Sequence, residues 1–280
     1  MIITSAHRAS RVLFTFLKSN FENNSKPWLL PANICDCVPE TFDAAGVKYE
    51  YADINPYTWC IEQSIVMSQL NCIAGLLYVH TYGIEDTPDE FFRQLKEYNP
   101  EIVIIDDRCL CQPSLSTHSH YSDMELYSTG AKKFINLNGG GYSIDNQRNM
   151  DKGINDLIPS PQDGWQYDLN KLKAEKAKVT VQKNKLNKIY STNLPASIQL
   201  SDAYQQWRFN IMVDNKDEIL KALFDNGLFA SGHYKSQSDS CPNAQYLYEH
   251  VINLFNDFYY TEEQAMRTCR IINDILKYGI

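Results

Sequence analysis

Along the first half of the chain, short apolar runs alternate with segments of helical periodicity. That alternation constrains the fold more than any figure of composition. Pro27-Trp28-Leu29-Leu30-Pro31, Val47 to Tyr51, Gly75 to His80, Glu101 to Asp107 and Met124 to Ser128 read as strands. Ala6 to Ser19, with Val12, Leu13, Phe16 and Leu17 at helical spacing, reads as an amphipathic helix. Thr41 to Gly46 reads as a helix closed by glycine, and Pro88 to Tyr98 as one opened by proline. This order predicts an α/β fold with a parallel, doubly wound sheet flanked by helices. Such sheets bind ligands beyond the carboxyl ends of their strands, here at Pro31, His80, Asp107 and Ser128.

The pattern changes after about residue 150. Ile158 to Gly164 reads as a loop, and the lysine-rich segment Asp168 to Tyr190 as a long exposed helix. A strand over Trp207 to Val213, a helix over Lys216 to Asp225 and a terminal helix opened by Thr261 predict a small α+β unit. The expected organisation is a large α/β domain at 1–155, a linker and long helix at 156–195, and a small C-terminal α+β domain at 196–280.

At 280 residues with 44% apolar content, the chain has ample material for a core. Its net charge of −8 argues against a nucleic-acid-binding surface. Met1 to His7 does not read as a signal peptide, and no apolar run reaches membrane-spanning length. A soluble, cytoplasmic protein is expected. The eight cysteines are scattered, which argues against a disulfide scaffold. Cys35/Cys37 and Cys109/Cys111 are closely spaced pairs that could together build a four-thiolate zinc site, but each pair lies beside an apolar run and reads better as small buried hydrophobes.

Three segments carry chemistry. Asp106-Asp107 closes an apolar strand, where a carboxylate is costly unless paired. Asp107 fits a pyridinium partner, a helix cap, an ion pair with Arg108, or, with Asp106, a magnesium ligand. Tyr127-Ser128-Thr129-Gly130-Ala131-Lys132-Lys133 places two lysines between a hydroxyl residue and Gly139 to Gly141. Either lysine fits a Schiff base with an aldehyde cofactor, and Ser128 fits a phosphate. Thr4-Ser5-Ala6-His7-Arg8 precedes a helix and reads as an anion site or as an ordinary serine cap with an exposed arginine. His80 reads as structural, His118 and His120 as loop residues, and His233 with Tyr234 as a pair that can approach a substrate.

Together these residues resemble the DegT–StrS family of sugar aminotransferases, enzymes of pyridoxal phosphate fold type I, over most of the chain. Family strands end in an acidic pair, and the resemblance sets Asp107 against the pyridine nitrogen. The family serine lies five residues before its lysine; Ser128 and Lys133 have that spacing, which selects Lys133 over Lys132. Asn138 to Gly141 is similar to the family's GEGG element, with Gly139 in place of the acid. Val79 to Gly83 looks like its His-x-Tyr-Gly turn, and Leu30 to Asn33 like its proline-containing strand end. Cys35 stands near a family aromatic residue that stacks on the cofactor, and Asn146-Gln147-Arg148 near a region that completes the neighbouring subunit's site.

The resemblance implies pyridoxal 5'-phosphate held by Lys133, Asp107, Ser128, Cys35 and the segment Ser5, Ala6, His7 and Arg8, without a metal. It implies amino transfer from glutamate or glutamine to a keto sugar, nucleotide-linked, in a homodimer. Other pyridoxal phosphate chemistry on the same scaffold, and a scaffold that binds a ligand or partner without turnover, are the alternatives.

Overall fold

A computed structural model describes residues 2–145 and 169–278. The expected loop at 158–164 and the Asn146-Gln147-Arg148 segment lie outside the described residues. The first half forms a seven-stranded sheet from β1 (Ile2–Ala6), β2 (Trp28–Pro31), β3 (Tyr49–Ala52), β4 (Gly75–Val79), β5 (Val103–Asp107), β6 (Met124–Ser128) and β7 (Gly141–Asp145). Their order is β1-β7-β6-β5-β4-β2-β3. The neighbours from β3 to β6 pair in parallel, and β7 runs antiparallel to both of its neighbours.

Helices cover both faces. Adjacent apolar residues point to opposite sides of the sheet, so consecutive runs are buried throughout. Leu30, Leu77 and Ile105 pack with α1 (Ala9–Phe21) and α2 (Cys37–Ala45) on one face. Leu29, Leu76 and Ile104 pack with α3 (Gln63–Gln69) and α4 (Asp89–Tyr98) on the other. Gly46 ends α2 at φ 71°, and its N–H and that of Val47 bond back to Asp43 and Phe42 carbonyls.

The first helix starts later than its periodicity predicts. Residues 2–6 form β1, because the antiparallel strand β7 takes up their backbone hydrogen bonds. The glycine run explains how this edge packs. A Cβ on Gly141 would stand 2.2 Å from the Ala9 nitrogen and 2.3 Å from its Cα. Gly141→Ala is therefore expected to destabilise the protein by about 1–3 kcal/mol, read from a urea transition.

The second sheet, β8-β10-β9, is antiparallel and comprises β8 (Phe209–Met212), β9 (Ala230–Gly232) and β10 (Val251–Leu254). It packs beneath α5 (Leu169–Asn193), α6 (Lys216–Asp225) and α8 (Glu262–Tyr278). At the start of α8, the Thr261 N–H donates to Gln264 Oε1 and the Gln264 N–H to Thr261 Oγ1, a reciprocal capping box. A further helix, α7 (Pro242–His250), is capped from the large sheet's side: Asp53 accepts the Asn243 and Ala244 N–H groups, each at 3.0 Å.

Helix α5 is not simply exposed. Leu172, Val179, Lys183, Leu186 and Tyr190 form a buried stripe at spacings of seven, four, three and four. Leu172 and Val179 join the core around Tyr127, and Leu186 and Tyr190 join that of the small sheet. Within the stripe, Lys183 Nζ donates to the Trp207 carbonyl at 2.6 Å and Asn256 Oδ1 at 2.8 Å. Burial, aided by the Arg208 charge, pushes its pKa down to about 7. The unfolded chain then binds one more proton than the folded protein between about pH 7 and the ordinary 10.5. Wild-type protein should gain on Lys183→Met by a few kcal/mol as pH rises through that window, in parallel chemical denaturations.

Candidate active site

A cavity of about 500 Å³ opens at the carboxyl ends of β2, β4, β5 and β6, where a doubly wound sheet holds its ligands. Leu13, Ile34, Val38, Val79, Leu110 and Leu126 make its apolar walls. Asp107, Ser128, Lys133, Cys35, His7 and Arg8 also line it. Ser5 and Ala6 do not: they belong to β1, paired with Tyr142 and Gly141, and the helix that would present their N–H groups starts three residues further on. Ala9 and Ser10 line the cavity in their place, at the positive end of the α1 dipole. Pro31, at the end of β2, and His80, just past β4, do not reach the cavity, and Asn33 and Thr81 line it beyond them.

The two aspartates that close β5 face opposite ways. Asp106 lies 2.5 Å from His80 Nε2 and accepts from Arg108 Nε at 2.8 Å, with all three side chains fully buried. His80 Nδ1 meets the Ile84 carbonyl at 2.7 Å, so this histidine is structural. Burial raises the Asp106 pKa, but the His80 and Arg108 charges outweigh it and hold the group below the carboxylate range. Asp107 turns into the cavity. Its Oδ1 accepts the Cys109 N–H at 2.9 Å, and the Cys109 thiol also bonds to the carboxylate. Burial raises its pKa, against the Cys109 N–H and the nearby Lys133 charge. The ion pair with Arg108 thus belongs to Asp106, not Asp107.

The two adjacent lysines also separate. Lys132 is exposed, in a left-handed conformation at φ 65°, and its carbonyl accepts from Trp207 Nε1 at 2.7 Å. Lys133 is half-buried and lines the cavity, next to buried Phe134 and Ile135, which anchor the turn against Tyr127 and Tyr142. Its ammonium makes no hydrogen bond or ion pair among the described residues. Burial disfavours its charge, but Cys109, Tyr234, Asp107 and Cys35 outweigh it and raise the pKa. Burial raises the pKa of both Cys109 and Tyr234, so neither is charged at neutral pH.

The glycine run serves this wall. The Gly140 N–H donates to the His7 carbonyl at 2.6 Å, and Thr129 Oγ1 donates to that of Gly139 at 2.9 Å. The small sheet's side contributes His233 and Tyr234. His233 donates from Nε2 to the Asn33 carbonyl at 3.0 Å, and burial lowers its pKa to about 4, so the ring is neutral. Asn33 and Asn138 line the cavity from two segments that the resemblance picks out without giving them a role, and sequence reading missed Asn136, which lines it from a loop without a periodic or motif signal. It also placed Cys37 in a buried setting, whereas Cys37 is exposed at the first turn of α2. Among the described residues no group of three or more His, Cys, Asp or Glu could hold a metal ion. No helix among them is long and apolar enough to cross a membrane.

No protein-family model matches the sequence, and no curated protein matches it. Solved structures do. A DegT DnrJ EryC1 StrS aminotransferase from Brucella abortus superposes over 98% of this chain and 86% of its own, with TM-score 0.78 at 12% identity. This chain has that fold. The putative sugar aminotransferase Spr1654 from Streptococcus pneumoniae, in its PLP form, is similar over 99% of this chain and 88% of its own, with TM-score 0.81 at 13% identity. Helicobacter pylori PseC, an aminotransferase involved in the biosynthesis of pseudoaminic acid, gives 99%, 87% and 0.80 at 14% identity. The chain is therefore a pyridoxal phosphate fold type I protein in architecture, as its alternating pattern and motifs lead one to expect.

The cavity suits such a cofactor chemically. The Lys133 ammonium and the Asp107 carboxylate open on one apolar chamber. A hydroxyl and a helix N-terminus lie on the same walls.

Proposed function

We propose that the protein is a pyridoxal phosphate-dependent aminotransferase acting on a keto sugar carried by a nucleotide, with glutamate or glutamine as donor. The observation that carries this reading is that Lys133 and Asp107 open onto the same cavity while their neighbours Lys132 and Asp106 are turned away from it. The cofactor supplies an aldehyde carbon for an amine and a ring that takes up electron density.

The rest is the chain's own work. Lys133 holds the cofactor and then carries a proton on and off the amine-bearing carbon through Nζ. Asp107 faces the ring nitrogen and keeps it protonated; that cation in turn offsets the cost of burying the carboxylate. Ser128 Oγ and the first turn of α1, with His7 and Arg8, take the phosphate. Cys35 and Val38 bound the cavity from the α2 side, and His233 and Tyr234 from the small sheet. The division of the chain at 155 and 196 and a homodimeric state belong to the same reading; sedimentation velocity measures the latter.

Purified protein given pyridoxal phosphate should develop a band near ~420 nm, which glutamate or glutamine bleaches and a keto sugar nucleotide restores. A protein that stays colourless with excess cofactor would contradict the reading. A band that neither amino donor bleaches would exclude amino transfer while leaving the cofactor assignment in place.

A further inference from the structure

Cys35 and Cys37 bracket the start of α2, and both line the cavity. Their sulfurs stand 3.2 Å apart and are hydrogen-bonded. Cys35 is half-buried and Cys37 exposed, so a small solute reaches the pair. We propose that these two thiols form a reversible dithiol–disulfide couple, oxidised by hydroperoxides, on the wall of the cavity.

Three features set Cys35 up as the attacking sulfur. It lies just before a nine-residue helix whose positive end stabilises a thiolate. Cys37 donates to it, and Lys133 stands close enough to favour its negative form. Those effects outweigh burial and lower its pKa to about 6. Cys37 is pushed the other way, first by that hydrogen bond and then by burial, and so remains a thiol.

The chemistry balances in two steps. The Cys35 thiolate attacks one oxygen of hydrogen peroxide; the O–O bond breaks, a sulfenic acid forms and hydroxide leaves, which a proton converts to water; an organic hydroperoxide loses an alkoxide instead, which becomes the alcohol. The Cys37 sulfur then attacks the Cys35 sulfur. The S–O bond breaks, an S–S bond forms, and a second water departs with the Cys37 proton. Two thiols lose two electrons to one peroxide, and an added dithiol reverses the result by exchange.

Cys72 provides an internal comparison, being exposed and remote from the cavity. The test treats the full chain with one equivalent of hydrogen peroxide, blocks remaining thiols and maps tryptic peptides without reduction. Ser19 to Lys48 is one such peptide, since Lys26 precedes proline, and Cys35 and Cys37 are its only cysteines. It should lose the mass of two hydrogens before Cys72 reacts, and dithiothreitol should restore it. Cys37→Ser should stop at a sulfenic acid that dimedone traps on Cys35. Limiting iodoacetamide near pH 6.5 should label Cys35 about threefold or more faster than Cys72.

Retention of both thiols while Cys72 oxidises would overturn the proposal. So would peroxide consumption by Cys35→Ser at the wild-type rate.

Discussion

Replacing Lys133 by alanine should lower amine transfer from glutamate by at least about a thousandfold, because in the proposed function one amine both holds the cofactor and carries the proton. Lys132→Ala should keep turnover within about tenfold of wild type, since only its backbone carbonyl is engaged, by Trp207. The contrast is informative because the two residues are adjacent and alike in chemistry. What separates them is the left-handed turn at Lys132, which sends one side chain to solvent and the other to the cavity. The measurement is a coupled assay of glutamate consumption, with circular dichroism to verify folding. Equal losses in both variants would sink the assignment.

The two aspartates should give opposite results from the same kind of change. Asp106→Ala leaves Arg108 and His80 buried beside an empty space, and removing one member of such an ionic cluster costs about 3–5 kcal/mol. Because the folded pKa of Asp106 is depressed, its contribution is present above the unfolded carboxylate value and fades as pH falls through the folded one. Asp107→Asn should leave stability at neutral pH equal or higher. The folded pKa of Asp107 is raised, so its cost builds as pH rises from the unfolded carboxylate value to the folded one and is fully present above it, and the amide escapes it. Yet turnover should fall by about a hundredfold or more, since in the proposed function the Asp107 charge supports the ring nitrogen and is lost. Urea transitions at pH 7 and the same assay read both effects. Loss of stability in Asp107→Asn comparable to that in Asp106→Ala would show that the carboxylate is a structural ion pair after all.

Much of this was legible because the signals are local. The buried stripe of α1, the glycine stop of α2 and the Thr261–Gln264 capping box are each set within a few residues, and each was readable from the sequence. The unread elements depend on remote partners. β1 needs β7, remote in sequence though its neighbour in the sheet, with Ile2 opposite Asp145, and α7 needs the Asp53 carboxylate, 190 residues away in sequence from Asn243. Lys183 looked like one more surface lysine in a lysine-rich helix, because the acceptors that bury it come from Trp207 and Asn256.

The candidate site divides in the same way. Lys133, Asp107 and Ser128 sit at strand ends and in a spaced motif, so chemistry and pattern point to the same residues. Ser5 and Ala6 were misplaced because a strand stands where the helix start was expected. Asn136 comes from a loop anchored by Phe134 and Ile135 against Tyr127 and Tyr142, contacts that are remote in sequence or carry no motif.

Borohydride reduction of the cofactor-treated protein, followed by peptide sequencing in a mass spectrometer, tests the central claim most directly. It fixes the cofactor to whichever amine holds it. The account predicts one pyridoxyl group per chain, on Lys133. A pyridoxyl group on Lys132, a spread over surface lysines, or none at all would contradict it.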